Sequence, residues 1–254
     1  MAYTYDFKVV VSGKQVEVYK YKKNIWREFE REPAEEIVAK EPKQLSILDK
    51  LNLKKLKMQF SLNRTRTEIR RLVNSNPQLN KFLTLTFAEN ITDLKTANYA
   101  FNQFVKRISY HYPTFEYLAV PEFQKRGAVH YHLLCNLPFV QVSELQEIWS
   151  NGFVKINKID EVNNVGAYIC KYLGKDMFDE RAFGKKKFFR SQSLFTAIEL
   201  LGWTAMKFVD KFLSLLKPVY EKIFVSEWSG EVEYKAYTLM TVPFLGRRSP
   251  PFLF

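Results

Sequence analysis

The segment that most restricts how this chain can fold is a predicted β-hairpin between Phe115 and Cys135. Its two halves are rich in β-branched, aromatic and apolar residues, as strands are. The connecting loop Lys125-Arg126-Gly127 ends in a glycine, which can adopt the left-handed backbone that such a loop requires. With this loop, Gln124 faces Ala128, and the pairing of every residue along the two strands follows.

This register predicts a cluster of three polar side chains. His130 and His132 are two residues apart, so both point to the same face of their strand. Glu122 lies directly opposite His130, and directly opposed residues have Cβ atoms about 4.5–5.5 Å apart. A carboxylate beside two imidazoles is a candidate metal site. Pro121 has no amide hydrogen for the ladder, so we expect an edge position or a bulge there.

The composition favours a globular protein that binds a polyanion. The chain has 254 residues, of which 46% are hydrophobic, and a formal net charge of +12. Aromatic residues make up 16%, and aromatics interleaved with basic residues suit single-stranded nucleic acid. Cys135 and Cys170 do not resemble a disulfide framework. No apolar run could span a bilayer and no signal pattern opens the chain, so we expect a cytoplasmic protein associated with nucleic acid.

Changes of pattern divide the chain into four predicted segments. Residues 1–44 contain a hairpin around Ser12-Gly13-Lys14 and a polar linker, and residues 45–77 form a basic helix. Residues 78–190 form the core domain. Residues 191–254 form an extension with a helix over Leu194–Leu216 and a second hairpin around Ser229-Gly230.

The core domain has a predicted order of strand, helix, strand, strand, helix, strand, helix. Lys81–Phe87 alternates apolar residues with threonine, and Thr92-Asp93 opens a helix that runs to about Ser109. The hairpin follows, then a helix over Val142–Trp149 and a strand over Phe153–Ile159. This order predicts an α+β fold with a central antiparallel sheet, helices packed on one face, and appendages at both termini.

The last helix of the core carries two tyrosines and two lysines on one face. Counted from the first tyrosine, the others follow at three, four and seven residues: Tyr168, Lys171, Tyr172 and Lys175. Nearby ammonium groups favour the phenolate form of a tyrosine and can neutralise charge on a phosphate. The pattern is typical either of a phosphoryl-transfer site or of an ordinary amphipathic helix whose lysines lie over tyrosine rings.

These motifs together resemble those of the HUH endonucleases, in particular the two-tyrosine rolling-circle replication initiators (Rep proteins) of bacterial plasmids, phages and integrative elements. Phe82–Thr86 is similar to the first family motif, His130-Tyr131-His132 to the histidine motif, and Tyr168–Lys175 to the tyrosine motif. The resemblance covers about residues 81–175. Glu122, eight residues before His130, stands where such initiators often place a third metal ligand.

The resemblance implies an RRM-like or ferredoxin-like core and a Mg²⁺- or Mn²⁺-dependent nick of single-stranded DNA at a replication origin. The implied metal ligands are Glu122, His130 and His132, and the implied catalytic residues are Tyr168, Tyr172, Lys171 and Lys175. Attack by the first tyrosine would leave a 5′-phosphotyrosine and a free 3′-hydroxyl, and the second tyrosine would resolve the product. No P-loop pattern of the Gly-x-x-x-x-Gly-Lys-Ser/Thr type is present, so we expect a host helicase to separate the strands.

Basic residues near the motifs are candidate DNA contacts. Three groups qualify: Arg64, Arg66, Arg70 and Arg71 in the basic helix, Lys125 and Arg126 in the hairpin loop, and Lys185, Lys186 and Lys187 in a later loop. Each group is compatible with phosphate binding and with a solvated charged surface.

Three other functions are compatible with parts of the pattern. A transposase or relaxase would use the same chemistry but rejoin donor to target DNA, and conjugative relaxases usually carry the tyrosine before the histidine pair. A nucleic-acid-binding module on an RRM-like sheet would bind single strands without forming an adduct. A metal-dependent hydrolase with Glu122 as general base would cut without a covalent intermediate.

Overall fold

The structure, a computed structural model, describes residues 3–27, 46–159, 185–226 and 229–241. The chain forms two compact units, with boundaries after Lys55 and after Thr196. The terminal unit combines the beginning of the chain with its C-terminal part, and the central unit is formed by the residues between them. None of the helices in the described ranges is long and apolar enough to cross a membrane.

Ten strands and four helices make up the described residues. In chain order they are β1 (Tyr3–Ser12), β2 (Gln15–Arg27), α1 (Ile47–Ser75), β3 (Lys81–Phe87), α2 (Leu94–His111), β4 (Tyr117–Phe123), β5 (Val129–Cys135), α3 (Val142–Trp149), β6 (Gly152–Lys158), β7 (Phe189–Arg190), β8 (Ile198–Leu201), α4 (Gly202–Phe212), β9 (Tyr220–Ser226) and β10 (Gly230–Thr238).

The central unit contains an antiparallel sheet with the strand order β6-β3-β5-β4-β7. Apolar residues alternate along β3, so Leu83, Leu85 and Phe87 point into one core together with α2 and α3. Tyr131 of β5 is fully buried in this core, with its ring stacked on Phe101 of α2 at 4.4 Å between centroids. The predicted α+β fold class with an antiparallel sheet is therefore confirmed.

Helix α2 begins where its capping signal predicts. The Asp93 carboxylate accepts hydrogen bonds from the Thr96 amide at 2.8 Å and from the Thr96 hydroxyl at 2.7 Å, which satisfies a donor that the first turn leaves open. The buried side chains of α2 recur at helical spacing: Ala97, Phe101, Phe104 and Ile108. The cap and this apolar stripe both come from local sequence, so the prediction of this helix needs no tertiary information.

The opposite face of the central sheet is covered at one end by the C-terminal half of α1. Leu62, Ile69 and Leu72 of α1 form a second core with Leu118, Val120 and Leu134 of the sheet. The basic helix predicted from the sequence is thus also a packing element of the central unit. Its apolar residues cover the ends of β4 and β5 away from the hairpin loop, which leaves the loop end of that face to other side chains.

The terminal unit is built on a second antiparallel sheet with the order β8-β1-β2-β10-β9. Helix α4 packs on one face, where Ala205 and Phe208 contact Val9, Val11 and Val16. The two predicted hairpins, β1-β2 and β9-β10, are present and pair with each other through β2 and β10. The division into four segments stays a prediction, and the structure adds that the first and last segments share this sheet.

The predicted helix over Leu194–Leu216 is wrong at its start. Ile198–Leu201 is strand β8, which pairs with Lys8–Val11 of β1, and the helix α4 begins at Gly202. Pairing with the edge of β1 satisfies backbone hydrogen bonds that a helical turn would otherwise make. Since β1 is nearly 190 positions away along the chain, local periodicity carries no sign of this pairing.

Candidate functional site

The hairpin of β4 and β5 has the predicted register. The Gln124 amide donates to the Ala128 carbonyl at 2.8 Å, and Gly127 closes the loop with φ = 90°. Glu122 lies opposite His130 in the antiparallel ladder. The loop length and its glycine therefore determine which side chains meet on the face of the sheet.

Pro121 is accommodated at an edge of the ladder, as expected. The Tyr117 amide donates to the Ser191 hydroxyl at 3.0 Å, on the side of β4 away from β5. Residues two and four positions further along the strand direct their amide nitrogens to the same side. The β7 pairing reaches Leu118 and Ala119, so the proline nitrogen faces that edge beyond β7. The ladder to β5 loses no hydrogen bond there.

Glu122 and His132 are in direct contact through the carboxylate Oε2 and the imidazole Nε2. The other ring nitrogen of His132, Nδ1, lies 3.2 Å from the hydroxyl of Thr84, which can donate or accept according to the imidazole tautomer. The ring of Phe82 stacks on the imidazole at 5.5 Å with an interplanar angle of 18°. His132 is thus held on three sides, which reduces the number of orientations that the ring can take.

His130 lies on the same face, with its ring centroid 6.3 Å from that of His132. Its Nε2 atom is buried and has no hydrogen-bond partner among the described residues. Burial lowers the pKa of His130 to about 4, aided by His132 and Arg126 and opposed by Glu122. The imidazole is therefore neutral at pH 7, which is the form that can donate a lone pair to a metal.

These three side chains supply donor atoms of the kinds that bind divalent ions. Within the parts of the chain that the structure describes, no group of three or more His, Cys, Asp or Glu side chains has the geometry to hold an ion. Glu122 is paired with His132, so an ion could enter only if this pair separates to admit it. The unpartnered Nε2 of His130 and the common face of the three side chains fit such an ion.

Two further residues share the face of the imidazoles and were not predicted as site residues. Phe153 and Lys155 of β6 lie opposite Thr86 and Thr84 of β3, which in turn lie opposite His130 and His132. Both β6 side chains are exposed. The alternation of Phe153, Lys155 and Asn157 in the sequence was the signal for a shared face, but placing it beside the histidines required the pairing of β6 with β3.

The candidate DNA-binding residues differ in their surroundings. Arg64 and Lys125 are exposed, whereas Arg66, Arg70 and Arg71 are half-buried on α1. Arg126 donates to the Gln124 side chain at 2.8 Å and to the Phe87 carbonyl at 3.1 Å, which gives it a structural role in the hairpin. Phosphate binding by each of these residues stays a prediction.

The later basic loop is partly ordered against its neighbours. Lys187 donates to the Ser61 hydroxyl at 2.8 Å, and burial lowers the pKa of this lysine. Lys186 lies 4.9 Å from the centre of the Phe189 ring, and Lys185 is exposed. The predicted catalytic residues Tyr168, Lys171, Tyr172 and Lys175 lie outside the described residues.

One family model matches the chain. Residues 80–177 match a family described as Replication-associated protein, of the ORF2 type, which is a family of rolling-circle replication initiators. The matched range contains the hairpin with Glu122, His130 and His132, and also the four residues of the tyrosine motif. No curated protein and no solved structure matches the chain. The match confirms the resemblance seen in the motifs and supports a role as a replication initiator: residues 80–177 belong to the ORF2-type family of replication-associated proteins.

Proposed function

We propose that this protein is an HUH-type endonuclease that nicks single-stranded origin DNA and becomes covalently attached to it. The observation that carries the proposal is the cluster on β4 and β5: Glu122 contacts His132, and His130 presents an unpartnered buried nitrogen on the same face. These groups lie within the range that matches a replication-associated family. Mg²⁺ or Mn²⁺ is the proposed cofactor, and single-stranded DNA the proposed substrate.

In the proposed reaction, the phenolic oxygen of Tyr168 attacks the scissile phosphorus. A phosphorus–oxygen bond to Tyr168 forms, the bond to the 3′ oxygen breaks, and the 3′ oxygen leaves as a hydroxyl after taking a proton. A divalent ion bound to Glu122, His130 and His132 would polarise the scissile phosphate. Tyr172 then performs the second transesterification after one round of synthesis, and Lys171 and Lys175 neutralise charge on the phosphate.

The residues beneath the site keep its donor atoms in place. Thr84 and Phe82 hold the His132 ring through Nδ1 and one ring face, which keeps Nε2 directed towards Glu122. Hydrogen bonding of the far ring nitrogen is the usual way in which a protein orients a ligating histidine. We therefore expect a Thr84→Val change to weaken metal-dependent nicking by about 10- to 100-fold, the typical cost of losing such a support.

The test is a covalent-adduct assay with a library of single strands that carry a randomised segment and a label at the 3′ end. The label must be at the 3′ end because the 5′-phosphotyrosine joins the protein to the downstream fragment. With Mn²⁺, a labelled adduct is expected for the wild type. The double change Tyr168→Phe/Tyr172→Phe and the single change His130→Ala should each abolish this adduct.

Two matched controls come from α2, which packs on the other face of the sheet. His111→Ala and Tyr110→Phe change the same residue types without touching the cluster, and both variants should form the adduct normally. An adduct that survives the double tyrosine change would reject these nucleophiles. Cleavage without an adduct would favour a hydrolase, binding without cleavage would favour a non-catalytic module, and rejoining of donor to target strands would favour a transposase or relaxase.

A further inference from the structure

The terminal unit carries a row of basic and aromatic side chains across its sheet. On β1, β2, β10 and β9, the directly opposed residues are Lys8, Tyr19, Tyr234 and Lys222. Opposed residues share a face, and this face is opposite α4, because the alternate residues of β1 and β2 pack against that helix. The row therefore places two phenol rings between two ammonium groups.

Ring contacts extend this row along the sheet. Tyr19 and Tyr234 are 5.0 Å apart between centroids, and Tyr220 of β9 lies 6.0 Å from Tyr234. Tyr21 is stacked with Tyr19 at 6.3 Å and 7°, and it contacts Tyr5 of β1 at 6.0 Å. Five tyrosines thus form a connected series from β9 to β1.

The hydroxyl groups of the central rings are held from within the sheet. The Glu17 carboxylate, 5% exposed, accepts hydrogen bonds from the Tyr234 hydroxyl at 3.0 Å and from the Tyr19 hydroxyl at 3.4 Å. Lys8 Nζ lies 4.9 Å from the centre of the Tyr19 ring. Because the rings are already oriented, a ligand that stacks on them does not have to order them on binding.

The β9 end of the row is accessible. Tyr220 is 53% exposed and Phe224 is 38% exposed, and Lys222 between them is also exposed. All three lie on the face opposite α4, since they alternate along β9 and pair with residues of that face on β10. A flat aromatic surface with an ammonium group beside it is thus available at this edge of the sheet.

We propose that this face, here called the tyrosine face and defined by Lys8, Tyr19, Tyr220, Lys222 and Tyr234, binds single-stranded DNA. Unstacked bases need flat partners and their phosphates need positive charge, and this face supplies both in alternation. Lys8 and Lys222 are three strand spacings apart, roughly 14 Å, which leaves room for bases over the two rings between them. Duplex DNA does not fit because its bases are already stacked on each other.

DNA is chosen over RNA because the central unit belongs to a replication-associated family. The proposal goes beyond the nicking function and does not depend on it. The tyrosine face lies in the terminal unit, whereas the Glu122 cluster lies in the central unit. Binding there would need neither a metal nor a nucleophile.

The test measures binding of the full chain to a fluorescent oligothymidine of about 15 nucleotides, a length within the range of such surfaces. EDTA is present throughout, so that nicking cannot contribute and a failure here leaves the proposed nicking function untouched. Tyr220→Leu and Tyr234→Leu should each weaken binding by about 5- to 150-fold, the range expected for one stacked base. Tyr220→Phe and Tyr234→Phe keep the rings and should bind like the wild type.

Charge and position have their own controls. Lys222→Gln should reduce the slope of log affinity against log salt by about 0.7, the value for one phosphate contact with a single strand. Trp203→Leu removes an exposed ring from α4, on the other side of the same sheet, and should leave binding unchanged. Duplex of the same length should bind more weakly than the single strand.

Photocrosslinking maps the contact directly in the wild type and does not depend on the folding of any variant. An oligonucleotide with iododeoxyuridine should crosslink to peptides from Tyr220–Ser226 or Gly230–Thr238. The proposal is overturned by unchanged affinity in both leucine variants together with crosslinks confined to residues 80–177. Tighter binding of oligouridine than of oligothymidine would overturn the choice of DNA.

Discussion

Gly152 is the position where the smallest substitution should have the largest effect on the central unit. Its φ is +148°, and a Cβ atom there would lie 2.4 Å from the Thr86 carbonyl oxygen, 2.4 Å from the Ala88 amide nitrogen and 2.9 Å from the Phe87 carbonyl carbon. All three are backbone atoms of β3 or its end, so no flexible side chain can move aside. The Thr86 carbonyl also accepts the indole hydrogen bond of Trp149 at 3.1 Å, and this bond would be lost if β3 shifted.

Gly152→Ala should therefore destabilise the protein in two ways. Forcing alanine into a glycine backbone conformation costs about 1–3 kcal/mol. Leaving the buried Trp149 N–H without a partner costs about 1–3 kcal/mol more. A total of about 2–6 kcal/mol is a large part of the 5–15 kcal/mol by which a typical domain is stable.

The measurement is urea unfolding followed by circular dichroism, with Gly202→Ala as the matched control. Gly202 also has a positive φ, of +52°, but an added Cβ would meet nothing within 4 Å. This control should lose about 1–2 kcal/mol, the cost of the left-handed backbone alone. If Gly152→Ala unfolds at the same urea concentration as the wild type, or loses no more than Gly202→Ala, the steric reasoning is wrong.

Three further predictions concern buried groups of the central unit. Tyr131→Phe should cost about 1 kcal/mol in urea unfolding without changing adduct formation, because the lost hydroxyl donates to Asn98 at 2.7 Å on the face away from the histidines. Burial raises the pKa of Cys135 to about 12, so in a Cys170→Ser background its thiol should stay protonated at pH 8 and resist a thiol reagent until urea unfolds the chain; fast labelling of the folded protein would contradict this. Arg107→Met should cost about 1.5–3 kcal/mol in thermal unfolding, because its charged guanidinium donates at 2.7 and 3.0 Å to two carbonyls at the end of α3; an unchanged melting temperature would show that water replaces these bonds.

The hairpin at the centre of the site was predictable because each of its determinants is local. Strand alternation assigns His130 and His132 to one face, and a three-residue loop ending in Gly127 sets the pairing that brings Glu122 opposite His130. The structure has the same pairing. The metal and the nucleophiles proposed for this site remain predictions that the adduct assay tests.

The contacts that orient the site could not be predicted in the same way. Thr84 meets His132 only because β3 pairs with β5, and Phe153 joins the same face only because β6 pairs with β3. β3 and β5 are separated along the chain by α2 and β4, and no turn specifies their register. Periodicity showed that these residues alternate, but it could not show which neighbour they would meet.

The amino-acid sequence by itself determined the local elements of this protein: the β4-β5 hairpin, the capped helix α2 and the hairpins at both ends of the chain. Hydrogen bonds and side-chain alternation within a few residues specify each of these. Only the tertiary structure decided that the two terminal hairpins join in one sheet, and that Lys8, Tyr19, Tyr234 and Lys222 form a row across it. Such pairings bring together strands more than 200 residues apart, and their stability comes from backbone hydrogen bonds and buried surface that do not exist until both partners are in place.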